Sequence, residues 1–189
     1  MSKSIRPISV VIVILTGLLY GIASSEDQTI IELYKNGNPR ISKFNRDKNA
    51  PEGFVIKRDT IYEQYENGKT KRATLTRDWQ IEYGPLLKAE EEVEFYEDGK
   101  TKKAVLAKDY TLPNGFVIKA GTVHEMYPNR SFKIAVSAKD FKLPNGLVIK
   151  ADTELEQFED GKVKKATLAE DWQAPGGALI KAGEKYKAN

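Results

Sequence analysis

The same residue types return every 31 positions along most of this chain, with no insertion or deletion between copies. Aromatic side chains fall at Tyr34, Tyr65, Tyr96, Tyr127 and Phe158. The same step joins Asp47, Asp78, Asp109, Asp140 and Asp171, and it joins Gly53, Gly84, Gly115, Gly146 and Gly177. It also joins Lys57, Lys88, Lys119, Lys150 and Lys181. A fixed period of this size marks tandem supersecondary units that cannot bury their apolar faces alone and must stack. The repeat region divides as 29–59, 60–90, 91–121, 122–152 and 153–183, with a short linker at 24–28 before it and a stub at 184–189 after it.

Inside a unit the signals are those of strands and turns. The third copy opens on the alternating stretch Val93-Glu94-Phe95-Tyr96 and then reaches Asp98-Gly99, with Asn36-Gly37, Asn67-Gly68 and Asp160-Gly161 at the same phase. These dipeptides favour positive backbone dihedrals and predict a two-residue type I′ hairpin. The next stretch puts Ala104 and Leu106 on one face with Lys103 and Val105 on the other, the period of a strand with one drier face. Leu112-Pro113-Asn114-Gly115 predicts a second reversal, after which the β-branched run Phe116-Val117-Ile118-Lys119 leads through Ala120-Gly121-Thr122 into the next copy. Two reversals predict two strands per unit, the longer one bent near Ala120-Gly121. The expected fold is all-β: an extended, twisted or curled antiparallel meander of roughly ten strands. A β-solenoid with three short strands per unit is the alternative, if Ala-Gly-Thr is a true corner. No apolar stripe of period 3.6 persists, which argues against helices.

The copies differ in places. The first carries Ser42 where others have alanine and Lys48 where others have an aromatic, which reads as a polar cap on the array. The second replaces the Pro-Asn-Gly turn with Ile81-Glu82-Tyr83-Gly84-Pro85, a rebuilt loop. The fourth has Pro128-Asn129-Arg130-Ser131 at its hairpin, without the turn glycine. The lysines of the stub would guard the last sheet edge.

Ahead of the repeats, Met1–Arg6 is basic and Ile8–Ala23 is almost wholly apolar, followed by small residues. This is the pattern of a secretory signal over 1–23, cleaved after Ala23 or after Ser25. The alternative is an uncleaved N-terminal membrane anchor over 8–23, through which any membrane contact would run. That apolar run is 16 residues long, and a spanning helix wants about 20. Without Lys3 and Arg6 the 30 basic residues become 28 against 27 acidic ones. A chain so balanced has no global field with which to recruit nucleic acid. It has no cysteine and one histidine, so disulfides, thiolate metal sites and multi-histidine metal sites are excluded within one chain. No cofactor is implied, because phosphate-loop, dinucleotide and hydrolase motifs are all absent.

Three sets of residues are candidates for function. Trp79, Tyr110, Phe141 and Trp172 share one phase and would form a row of flat rings suited to sugars or extended peptides. The rival role for them is to cover the seam between units. Glu32, Glu63, Glu94, Glu125 and Glu156 recur like the Asp series, and Asp109 with Glu125 is the candidate acid/base pair. Groups required in every copy are more simply structural: Asp starting a turn, Glu pairing with a cross-strand lysine such as Lys71 or Lys102. His124 occupies the phase of Ile31, Tyr62, Val93 and Leu155 and belongs on a packed face.

The strings Tyr65-Glu66-Asn67-Gly68-Lys69, Tyr96-Glu97-Asp98-Gly99-Lys100 and Phe158-Glu159-Asp160-Gly161-Lys162 resemble the core of MORN repeats, and the bacterial antitoxin-like variant more closely still. The resemblance covers about one third of each unit, around the turn. It implies stacked hairpins and a role in scaffolding, protein association or lipid contact. The period here is longer than in that family, and the Asp-aromatic and Pro-Asn-Gly elements are additional. The expected function is an exported, non-catalytic repeat protein that binds an envelope protein or a cell-surface polysaccharide. A membrane-surface scaffold and an envelope hydrolase using a carboxylate pair are the alternatives.

Overall fold

A computed structural model of the protein describes residues 27–188 in full and residues 9–15 and 18–24 by their backbone. Every regular element among them is a β-strand. Eleven strands, from Gln28–Leu33 to Lys185–Lys187, follow one another antiparallel in chain order to form one open sheet. Strands Ser9–Leu15 and Leu18–Ser24 pair ahead of it and bring the sheet to thirteen. The basic start of the expected leader, and Ser25, lie outside the described residues.

Each unit gives the sheet an opening strand and a return strand. In the third these are Glu92–Phe95 and Thr101–Val105, and in the fourth Val123–Met126 and Phe132–Val136. Alternation decides which side is buried. Val93, Phe95, Ala104 and Leu106 are at most 2% exposed, whereas Glu92, Lys102 and Val123 face outward. The alanine of each return strand sits opposite an opening-strand residue: Ala73 against Val93, Ala104 against His124, Ala135 against Leu155, Ala166 against Tyr186.

The hairpins depart from the expected type I′ turn. Gly99 has φ +87°, but Asp98 is not left-handed, whereas a type I′ turn needs both central residues there. The Gly99 N–H donates to Tyr96 O at 2.9 Å and the Tyr96 N–H to Lys100 O at 2.8 Å. This is a type I turn closed by a glycine bulge. The Asp98 carboxylate selects it by accepting from the Lys100 N–H at 3.0 Å.

The second reversal also departs from expectation, since the run after it does not continue into the next opening strand. Val117–Ile118 folds back to pair with Tyr110–Thr111, and every unit carries such a separate two-stranded ribbon. The corner between ribbon and sheet is a real break. Gly121 has φ +70°, its N–H donates to Leu106 O at 2.9 Å, and Asp109 holds the preceding amide. Asp59, Glu90 and Asp152 take the same left-handed conformation at this phase. A corner was the condition for a solenoid, yet the main sheet remains an antiparallel meander.

Ribbons form a second layer that covers the apolar face of the sheet. Bridges Ile56↔Leu75, Leu87↔Leu106, Ile118↔Ser137 and Ile149↔Leu168 tie the first four ribbons to the return strand of the following unit. The core lies between the layers and is continuous along the array, with Phe54, Ile56, Leu87, Phe116, Leu147 and Ile149 from ribbons meeting Leu75, Phe95, Leu106, Leu155 and Leu168 from the sheet. Ser42 is 1% exposed, opposite Tyr62, so it is part of this core and not a polar cap. At the other end the last ribbon has no further return strand to lean on, and Leu179 is 55% exposed.

Candidate functional site

The aromatic row begins one ribbon strand per unit: Trp79–Gln80, Tyr110–Thr111, Phe141–Lys142 and Trp172–Gln173. All four rings are half-buried and packed on the core. Trp79 lies 5.1 Å from Phe54 and 6.1 Å from Phe95 between centroids. Phe141 meets Phe116 edge to face at 5.3 Å, and Trp172 meets Tyr186 at 5.6 Å. The Trp172 Nε1–H donates to Asn145 O at 3.3 Å, a contact with the preceding unit. Trp79, Phe141 and Trp172 therefore span seams, and all four rings keep part of their surface in solvent. The residues that follow them, Gln80, Thr111, Lys142 and Gln173, are exposed.

The Asp series sits at the base of the ribbons. Asp47, Asp78, Asp109, Asp140 and Asp171 each accept, through Oδ1, from the backbone N–H eleven residues on, at 2.7–2.9 Å. That amide belongs to the corner residue before the left-handed position, so the carboxylate fixes the corner. The Glu series lies in the sheet, each member paired with a cation eight residues ahead: Arg40, Lys71, Lys102, Lys133 and Lys164. Lys164, hydrogen-bonded at 2.6 Å, holds Glu156 below the usual carboxylate range. Asp109 and Glu125 belong to these two different systems. Among the described residues no group of three or more acidic or histidine side chains is arranged to hold a metal ion.

One recurring contact is invisible at the level of motif. Tyr34, Tyr65, Tyr96 and Tyr127 donate their hydroxyls to the carbonyls of Gln64, Phe95, Met126 and Gln157, each thirty residues on, at 2.7–3.0 Å. The first four hairpin turns are thereby clamped to the next unit, and the fifth, with Phe158, is not.

His124 is 2% exposed, and its Nδ1 has no hydrogen-bond partner. Burial pushes its pKa down to about 4, opposed by a backbone hydrogen bond at Ala104, so the imidazole is neutral at physiological pH. It lines a cavity of about 510 Å³ together with Trp79, Leu106, Tyr110, Ile118 and Met126. Two rings of the row thus share one cavity, whereas Phe141 and Trp172 lie outside it.

The residue behind that cavity is Pro85. It stands at the phase of Phe54, Phe116 and Leu147, which are at most 2% exposed. The sequence shows the loop at 81–85 as rebuilt but hides the missing large core side chain until that phase is aligned across copies. No family model matches the chain, and no curated protein or solved structure gives a significant match.

Proposed function

We propose that the chain is an exported, non-catalytic β-repeat protein that presents an extended surface to an envelope protein or a cell-surface polysaccharide. The observation that carries this reading is the placement of the row. Four rings stand at one phase of a register-locked array, each with one edge in the core, one in solvent and an exposed polar neighbour. Such a surface binds through many weak contacts, and its affinity grows with the number engaged. The repeated carboxylates, occupied with corners and cross-strand cations, are poor acid/base candidates. The MORN-like turn strings agree with an association role, and the basic-apolar-small order of 1–23 agrees with export.

The test leaves the packed rings alone and alters their exposed neighbours. The protein from Ser24 onward, with Thr111→Glu, Lys142→Glu and Gln173→Glu combined, is compared with the unaltered chain on glycan arrays and in pull-downs from envelope fractions. Loss of a saturable partner with unchanged Tm is expected. Full retention of binding by the triple variant would overturn the row as the binding surface. N-terminal sequencing of the mature protein checks export, with a new terminus at Ser24 or Glu26 expected.

A further inference from the structure

We propose that the cavity between the second and third ribbons is a binding site for a small planar aromatic compound bearing one hydrogen-bonding substituent. The proposal rests on a comparison of equivalent places in the array. In the first ribbon Phe54 fills the corner formed by Trp79 of the next ribbon and Phe95 of the sheet, stacked on Phe95 at 5.6 Å and 12°. In the third ribbon Phe116 meets the equivalent ribbon ring, Phe141, edge-on, but stacks at 5.2 Å and 15° on a different sheet ring, Phe132 of the return strand. The first and third ribbons therefore hold a flat ring at this point of the unit, and the fourth holds the buried Leu147. The second ribbon offers Pro85, whose short ring lines the cavity, and the corner between Tyr110 and Met126 is left as part of it.

The chain does not fill the space with a neighbour. Tyr83, from the same loop, is 97% exposed on a left-handed backbone of φ +54°. Gly84 keeps the loop close, since a Cβ there would meet Ile81 Cγ2 at 2.8 Å. The lining is mixed: Leu106 and Ile118, at most 2% exposed, give an apolar wall, and Glu82, Asp98, Lys100 and Arg130 also border the cavity. In that setting His124 Nδ1, buried and without a partner, is a polar atom awaiting a hydrogen bond. Val93 and Leu155, at the same phase in neighbouring units, show that the fold does not require a polar group there. The volume suits a compound larger than one phenyl ring, and a fused bicyclic phenol matches both the apolar wall and the imidazole.

The experiment is a calorimetric titration of the chain from Ser24 onward with 2-naphthol and, separately, with naphthalene. Saturable binding of 2-naphthol at one molecule per chain is expected, with naphthalene about tenfold weaker. His124→Leu should bring the two probes to the same affinity. Pro85→Phe should abolish binding of both and raise Tm. Met126→Phe, which fills the corner from the sheet side with the residue found at Phe95, serves if the loop variant does not fold, and it should weaken both probes at least as strongly. Absence of saturable binding to the unaltered chain would overturn the proposal, as would undiminished binding by the cavity-filling variants. A preference for 2-naphthol that survives His124→Leu would remove the imidazole from the site. None of these outcomes depends on the row's extended partner.

Discussion

At the scale of single residues, the copies report on one another. Arg130 stands where four other hairpins have glycine, and it is held at φ +70°. A side chain in that region costs roughly 1–2 kcal/mol, partly offset by the greater unfolded-state freedom of glycine. Arg130→Gly is therefore expected to stabilise the protein by about 0.5–1 kcal/mol, read as a higher urea midpoint with unchanged slope. His124 supplies a second test. Its folded pKa is about 4 against an ordinary 6.5. The unfolded chain takes up a proton first, so this contribution is fully present above pH 6.5 and drains as the pH falls towards 4. The integrated loss is about 3 kcal/mol. Urea midpoints of the unaltered chain and His124→Leu, measured across that window, should diverge in favour of leucine as the medium becomes acidic. Parallel curves would mean that the imidazole is already solvated.

At the scale of elements, the sequence shows clearly what is periodic and poorly what is short. Alternation over Val93–Tyr96 and Lys103–Leu106 is long enough to declare two strands and their buried faces. The cross-strand pairing of Glu63 with Lys71 and Glu94 with Lys102 follows from the same alternation. A two-residue strand such as Tyr110–Thr111 has no period to read, so the ribbon looked like a continuation of its neighbour. Its separation depends on a left-handed corner that glycine, aspartate and glutamate all occupy, and no single residue type announces it. The turn type was misread because Asp-Gly suits two geometries, and a side-chain bond to Lys100 N–H decides between them. For the candidate site, the row and His124 were legible by phase. The cavity was not, because Pro85 in a turn reads as a turn residue until it is compared with Phe54 and Phe116. The tyrosine clamp was equally hidden, since a hydroxyl bond across thirty residues leaves only an aromatic in the motif. Tyr96→Phe, which removes the bond to Met126 O, should cost about 1 kcal/mol. Tyr110→Phe, a ring without such a clamp, should change stability by less than about 0.5 kcal/mol in the same denaturation assay. Equal losses would show that the clamp adds nothing beyond ring packing.

For the whole molecule, nearest-neighbour stacking makes the unit, and not the strand, the element that can be removed. Deleting 122–152 joins Gly121 to Thr153, so the corner is followed by an opening strand of the same phase. Tyr96 then faces Gln157 O in place of Met126 O, and Phe116 faces Val163 and Trp172 in place of Phe132 and Phe141. Each replacement is already used elsewhere in the array. The shortened protein is expected to keep its β-sheet circular dichroism and unfold in one transition. Its denaturant slope should fall by about one fifth, because the slope follows the surface exposed on unfolding and one unit of five has gone. It should also lose the acid-side stability change assigned to His124, which leaves with the unit. Deleting 107–121 alone is a different matter. That change removes a ribbon and its corner, strips the cover from Phe132, Ala135 and Ser137 of the following return strand, and leaves Asp78 and Asp140 clamping corners on either side of a gap. An exposed apolar strip of that kind favours association over folding, and the variant should aggregate or bind a hydrophobic dye. If instead both deletions fold equally well, the two layers are not interdependent. The ribbons would then be ornaments on a self-sufficient sheet.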